Sequence, residues 1–138
     1  AVLVAAVHAL SEPIRVRLAR PACRVDSRHV VHQCIDYADT VGRIPSIPEL
    51  CLAANVSERR LRKAFVDEYD LPPSHFFRHW ALTQARHRLS AASEGHACTV
   101  TDIAADLGFY HLGRFSMYYQ KLYGEAPSTT LRSAPDAS

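Results

Sequence analysis

The chain has 138 residues and a formal net charge of +2. That length buries a real core as one domain or as two small lobes. The charge balance is ordinary for a soluble protein, so bulk charge alone makes no case for nucleic acid. Ala1 to Leu10 is apolar but short of the ~20 residues that cross a bilayer. No basic segment precedes it, so it does not read as a signal peptide.

In chain order, residues 1–26 read as the end of an upstream domain followed by a linker. Pro13 and Pro21 break any helix there, and Arg15, Arg17, Arg20 and Arg24 keep the segment solvated. Ser27 is placed to cap a helix running to about Val41, with Val31, Cys34, Ile35 and Ala38 on one stripe and Gly42 as its stop. Ser46-Ile47-Pro48-Glu49 is a capping box for a short helix ending near Ala54, where Asn55 tolerates the left-handed turn. Ser57 caps the next helix, Glu58 to about Tyr69, with Leu61, Ala64, Phe65 and Tyr69 inward.

Leu71-Pro72-Pro73-Ser74 breaks the chain and opens a long helix, about 74–91. Phe76, Phe77, Trp80, Leu82, Ala85 and Leu89 give it a broad apolar surface, as a linker helix between two lobes requires. After a loop at 92–98, Thr99-Val100-Thr101-Asp102 is a second capping box, opening a helix to Leu107, and Gly108 takes the turn. A last long helix runs from about Leu112 to Tyr123 with Phe115, Tyr119 and Leu122 inward; Gly124 ends it, and Pro127 opens a short terminal helix before a polar tail. No segment reads as strand. The fold expected is all-α, about seven helices, with a first lobe at 27–72, a linker helix at 73–92 and a second lobe with its tail at 93–138.

The two lobes repeat one another. Leu50 and Ile103 lie 53 positions apart, whereas Leu61/Phe115, Phe65/Tyr119, Tyr69/Tyr123, Pro73/Pro127 and Ser74/Ser128 are each 54 apart. A duplicated helix-turn-helix with one longer turn explains that spacing. Such a motif presents the N-terminal side chains of its second helix to a DNA major groove. In the first copy the outer face carries Arg59, Arg62, Lys63 and Val66, with Arg60 toward the flank. Arg62 or Arg59 suits a guanine edge, and Lys63 a base edge or a phosphate. The second copy offers His111, Leu112, Gly113, Arg114, Ser116, Met117 and Gln120, with Arg114 as its one strong reader. Gly113 permits close approach of the backbone, and Leu112 and Met117 suit thymine methyls.

Other chemistry has little support. His75 and His79 stand at i,i+4, but a third ligand and the H-E-x-x-H glutamate are missing. Cys23, Cys34, Cys51 and Cys98 form no C-x-x-C pair, and three of them fall where a helical core takes a small apolar residue. They fit reduced thiols in a cytoplasmic protein. No nucleophile elbow or glycine-rich phosphate loop occurs, so the expectation is a non-enzyme without metal or cofactor. Asp67, Glu68 and Asp70 crowd a helix C-terminus, where they oppose the macrodipole. They are available to linker arginines, to RNA polymerase or to a sensor domain.

From Ile47 to Arg132 the pattern resembles the C-terminal DNA-binding domain of AraC/XylS-type transcriptional regulators. The resemblance rests on Leu50, Ala53-Ala54-Asn55-Val56-Ser57, Leu61, Phe65, Ile103-Ala104, Gly108-Phe109, Phe115-Ser116 and Tyr123-Gly124-Glu125-Ala126-Pro127-Ser128. Gly108 to Phe115 is similar to the branch containing ethanolamine-utilisation regulators. The resemblance implies seven helices and recognition helices in successive major grooves, offering Arg59, Arg62 and Lys63 from one and Leu112, Gly113, Arg114, Ser116 and Met117 from the other. It also implies an upstream effector-binding domain. Asn55 departs from the usual turn glycine, Cys51 from alanine, Met117 from a frequent arginine, and Ala81 from a frequently basic linker position.

The leading expectation is therefore a bacterial, cytoplasmic transcription regulator that binds double-stranded DNA at an asymmetric site. A stand-alone activator without a sensor is its nearest variant. The alternatives from other classes are a helical interaction module whose basic face binds an acidic protein, and a DNA-repair protein with a thiol acceptor, which needs a cysteine cluster on a metal.

Overall fold

The computed structural model describes residues 26–92 and 98–133. The upstream domain end, most of the arginine/proline linker, Cys23, residues 93–97 of the loop and the tail from 134 lie outside the described residues. Regular structure among the described residues is entirely helical: α1 (Ser27–Val41), α2 (Ile47–Ala54), α3 (Glu58–Tyr69), α4 (Pro73–Ala91), α5 (Val100–Asp106), α6 (Leu112–Tyr123) and α7 (Pro127–Arg132). The all-α expectation holds. None of these helices is long and apolar enough to cross a membrane.

Local sequence sets most of the helix ends. Ser46 Oγ accepts from the Glu49 amide while the Glu49 carboxylate accepts from the Ser46 amide at 2.7 Å, which completes the first capping box. Thr99 and Asp102 repeat that exchange at α5. Asn55 ends α2 at φ 53°, and Gly108 and Gly124 follow α5 and α6 at φ 93° and 74°.

One cap differs from expectation. Ser27 lies within α1, and the residue ahead of it, Asp26, bonds the Arg28 amide through its side chain at 3.4 Å and the Val30 amide through its carbonyl. The Ser27 hydroxyl is engaged elsewhere: it accepts from Arg60 Nη1 at 3.1 Å and donates to Asp67 at 3.3 Å. Long-range partners on α3 have taken it from the capping role.

The contacts divide the chain into two units, with the boundary inside α4 after Phe76. In the first unit, residues 26–41 and 45–76, α1 packs on α3 and α2. Val30, Val31, Cys34, Ile35, Ala38, Leu50, Ala54, Leu61, Ala64 and Phe65 are buried there, and each fully buried Leu, Ile or Phe contributes about 1.5–3 kcal/mol. The Phe76 ring lies 5.2 Å from Phe65 and 4.8 Å from Tyr69. Arg28 bridges α1 to Glu68 at 3.3 Å. Burial pushes the Cys34 thiol up to about 12, with Cys51 adding to the shift. Cys34 is buried, Cys51 is half-buried, and Cys98 is exposed ahead of α5.

The second unit contains residues 42–44 and the described residues from 77 onward. Ala81, Leu82, Ala85 and Leu89 of α4 meet Ile103, Ala104, Leu107, Phe115 and Tyr119. Ala81 is fully buried, which explains why this position of α4 carries no cation. The Ile44 amide donates to the Leu107 carbonyl at 2.9 Å. Tyr119 donates to Thr130 Oγ1 at 2.8 Å and Thr130 donates onward to Glu125, tying α7 to α6. Leu122, expected inward, is 43% exposed. Tyr123 takes the last-turn packing instead, with its ring 4.8 Å from Tyr119 and beneath the Arg86 guanidinium.

Candidate nucleic-acid interface

Each unit holds a helix-turn-helix whose turn is built the same way. The Val56 amide reaches back to the Cys51 carbonyl at 3.1 Å, and the Phe109 amide reaches the Ala104 carbonyl at 2.9 Å. Both bonds engage carbonyls in the last turn of the first helix, where intrahelical partners run out. The extra residue of the second copy falls after this shared turn, before α6 begins. Its effect is visible at Tyr110, which is 93% exposed. Ser57 caps α3 through its hydroxyl, whereas His111 precedes α6 without a side-chain cap bond.

On α3 the buried residues Leu61, Ala64 and Phe65 turn Arg59, Arg62, Lys63 and Val66 outward, and all four are exposed. Arg60 stands apart from them. It is half-buried and bonded to Ser27 on α1, so its charge is used within the unit. Arg62 and Lys63 are also held: Arg62 by Glu58 at 2.8 Å, Lys63 by Asp67 at 2.9 Å, each at i,i+4. The Lys63 ammonium bonding Asp67 keeps that carboxyl below the usual aspartate range, with smaller help from Ser27 and Arg60. Asp67 and Glu68 therefore bond Lys63, Ser27 and Arg28 within the first unit. Asp70 is the left-handed residue that ends α3, at φ 56°.

On α6 the buried residues Phe115 and Tyr119 turn the opposite face to solvent. His111, Leu112, Gly113, Arg114 and Met117 are exposed and line one shallow depression with Tyr110. Ser116 is half-buried beside an adjoining strip with Gln120 and Lys121. Nothing lies within 4 Å of where a Cβ at Gly113 would stand, so the surface there is open. Arg114 makes no ion pair among the described residues, in contrast to Arg62 and Lys63. Tyr110, Leu112 and Met117 line the depression with it.

Two residues of these faces escape a reading by motif alone. Tyr110 was signalled only by the one-residue excess in the second turn. Glu58 was signalled by its i,i+4 spacing to Arg62, which favours a bond when the acid is N-terminal. His75 and His79 are both exposed on α4, and no group of three His, Cys, Asp or Glu among the described residues is placed to hold a metal ion.

Comparison with known proteins agrees with this geometry. The helix-turn-helix domain family matches residues 50–133. A solved structure described as a "probable AraC family transcriptional regulator" from Rhodopseudomonas palustris is 32% identical, with a TM-score of 0.66 over 76% of this chain and 96% of that one. An AraC-type regulator structure from Chromobacterium violaceum, 18% identical, shares the fold with a TM-score of 0.68 over 81% of this chain and 97% of that one. The "XylDLEGF operon transcriptional activator 3" of Pseudomonas putida is 35% identical over 68% of this chain. The "Probable thc operon regulatory protein" of Rhodococcus erythropolis is 31% identical over 96% of it. The chain spans 28% and 38% of the lengths of those two relatives. With a duplicated helix-turn-helix, two outward-facing second helices and these relatives, the chain belongs to the AraC family of transcriptional regulators and is a DNA-binding domain rather than an enzyme.

Proposed function

We propose that α3 and α6 enter successive major grooves of one asymmetric site on double-stranded DNA. The observation that carries this reading is the duplicated burial pattern. Leu61 and Phe65 in one copy, and Phe115 and Tyr119 in the other, are fully buried and turn an N-terminal face outward on each helix. Those two faces carry different chemistry, so they read different half-sites. Arg59, Arg62 and Lys63 act in the first, with Arg60 as support for the helix. His111, Leu112, Gly113, Arg114, Ser116 and Met117 act in the second. Arg62 and Arg114 are the guanine readers, and Leu112 and Met117 contact thymine methyls.

The full-length protein is a bacterial cytoplasmic activator in this reading. The Pseudomonas relatives named as operon activators support that role, and their greater length is consistent with an effector-binding domain in addition to this one. RNA polymerase is the protein partner such an activator engages.

Selection of bound sites from random DNA tests the proposal. Two dissimilar motifs are expected, centred about one helical turn (~10 bp) apart. Binding should weaken steeply as salt rises, because neutralised phosphates release counterions. Enrichment of a single motif, or of none, contradicts the reading. Displacement by an acidic protein but not by DNA would make the basic face a protein-docking surface instead.

A further inference from the structure

We propose that Glu58 is a positioning residue for base recognition, which holds one edge of the Arg62 guanidinium and leaves the other edge for a guanine. The inference rests on the reading of α3 as a DNA-reading helix. A guanidinium carries five N–H donors in a rigid plane, arranged as a side edge (Nε with Nη2) and an end edge (Nη1 with Nη2). In the free protein Arg62 Nε and Nη2 both donate to Glu58 Oε1, at 3.1 and 2.8 Å. That geometry uses the side edge alone. The end edge keeps one hydrogen on each terminal nitrogen, the parallel pair that matches guanine O6 and N7.

The pair is poorly explained by stability. Both side chains are more than half exposed, at 51% and 57%, where an ion pair contributes little. It is well explained as preorganisation. Glu58 lies in the first turn of α3, where the macrodipole favours a carboxylate, and it precedes Arg62 by four residues, the preferred order. Fixing the guanidinium before binding removes part of the ordering cost at the interface. Neither Lys63 nor Arg114 has an equivalent support. Lys63 meets Asp67 at the same spacing, but an ammonium has no second edge to present. No acidic residue stands in α6, and Arg114 has Tyr110 four positions ahead of it. Base discrimination is therefore more stringent in the first half-site than in the second.

The test measures binding of the whole chain to its selected site and to the same site with adenine in place of the guanine that Arg62→Ala ceases to prefer. Salt is held fixed. Glu58→Ala should reduce the guanine-over-adenine ratio about tenfold. Glu58→Asp keeps a charge at the helix start but shortens its reach, so it should lose the ratio as well. Glu58→Gln retains an oxygen that accepts from the side edge and should keep more of the ratio than alanine does. Affinity for unrelated DNA should not fall in any of them, since no phosphate contact is lost. Adding Glu58→Ala to Arg62→Ala should change the ratio no further. Tighter binding with the ratio intact in Glu58→Ala would make Glu58 a screen over Arg62 and overturn the proposal. A ratio preserved in Glu58→Asp, or an equal loss on every sequence, would overturn it too. In these outcomes Arg62→Ala still loses guanine preference, so the reading of α3 survives. Unchanged base preference in Arg62→Ala would remove the base contact itself and Glu58's role with it.

Discussion

Thr99 and Asp102 satisfy each other's backbone at the start of α5, and that exchange couples stability to pH. The Thr99 hydroxyl, then its amide, hold the Asp102 carboxyl below the usual aspartate range. A depressed carboxyl stabilises the fold fully above the ordinary aspartate value and loses that contribution as pH falls from there through its lowered one. Asp67 in the first unit behaves alike, through Lys63. Stability should therefore decline on acidification below about pH 4, and Asp102→Asn should flatten the part of that decline belonging to the second unit. Thr99→Ala should cost about 1 kcal/mol at neutral pH. Thermal melts across the acid range check both, and an acid response unchanged by Asp102→Asn would count against the coupling. These side-chain caps were legible in the sequence because their partners lie within three residues. Ser27 was not, because the partners that claim its hydroxyl, Arg60 and Asp67, are brought to it only by folding.

At the scale of elements, the duplication preserves geometry while exchanging the chemistry that maintains it. In the first unit Phe76 packs its ring on Phe65 and Tyr69. The corresponding position of the second unit is Thr130, which is buried and accepts the Tyr119 hydroxyl. An aromatic contact in one copy is replaced by a hydrogen-bonded pair in the other. The periodic core of both copies could be read in advance, since helical spacing alone sets it. Leu122 could not: it shares the period of Phe115 and Tyr119, but the larger Tyr123 ring fills the last turn. Nor could the pairing of Ile44 with Leu107, which joins backbone groups far apart in sequence and leaves no side-chain signature. That pairing makes Gly108 a demanding position. Its φ is +93°, and an added Cβ would stand 3.4 Å from the Ile44 nitrogen. Gly108→Ala should destabilise the second unit by about 1–2 kcal/mol and speed hydrogen exchange at the Ile44 amide. An unchanged denaturation midpoint would show that the turn relaxes at no cost.

At the scale of the whole molecule, a formal charge of +2 conceals two unlike surfaces. The first reading helix carries several cations that are largely matched by Glu58, Asp67 and the contacts of Arg60. The second carries Arg114 without an ion pair, among Tyr110, Leu112 and Met117. Duplication accounts for the shared scaffold, and divergence of the outer faces accounts for what each copy reads. The candidate faces were legible because a buried stripe fixes its opposite. The ion pairs upon them became clear only once side chains were in place. The central claim is that the two faces read separate half-sites, and base-resolved footprints of Arg62→Ala and Arg114→Ala on the selected site test it most directly. Each substitution should weaken specific binding by about 1–3 kcal/mol and relax one position, with the two positions in opposite halves of the footprint. Perturbation of the same half by both, or a uniform loss on all sequences, would contradict it.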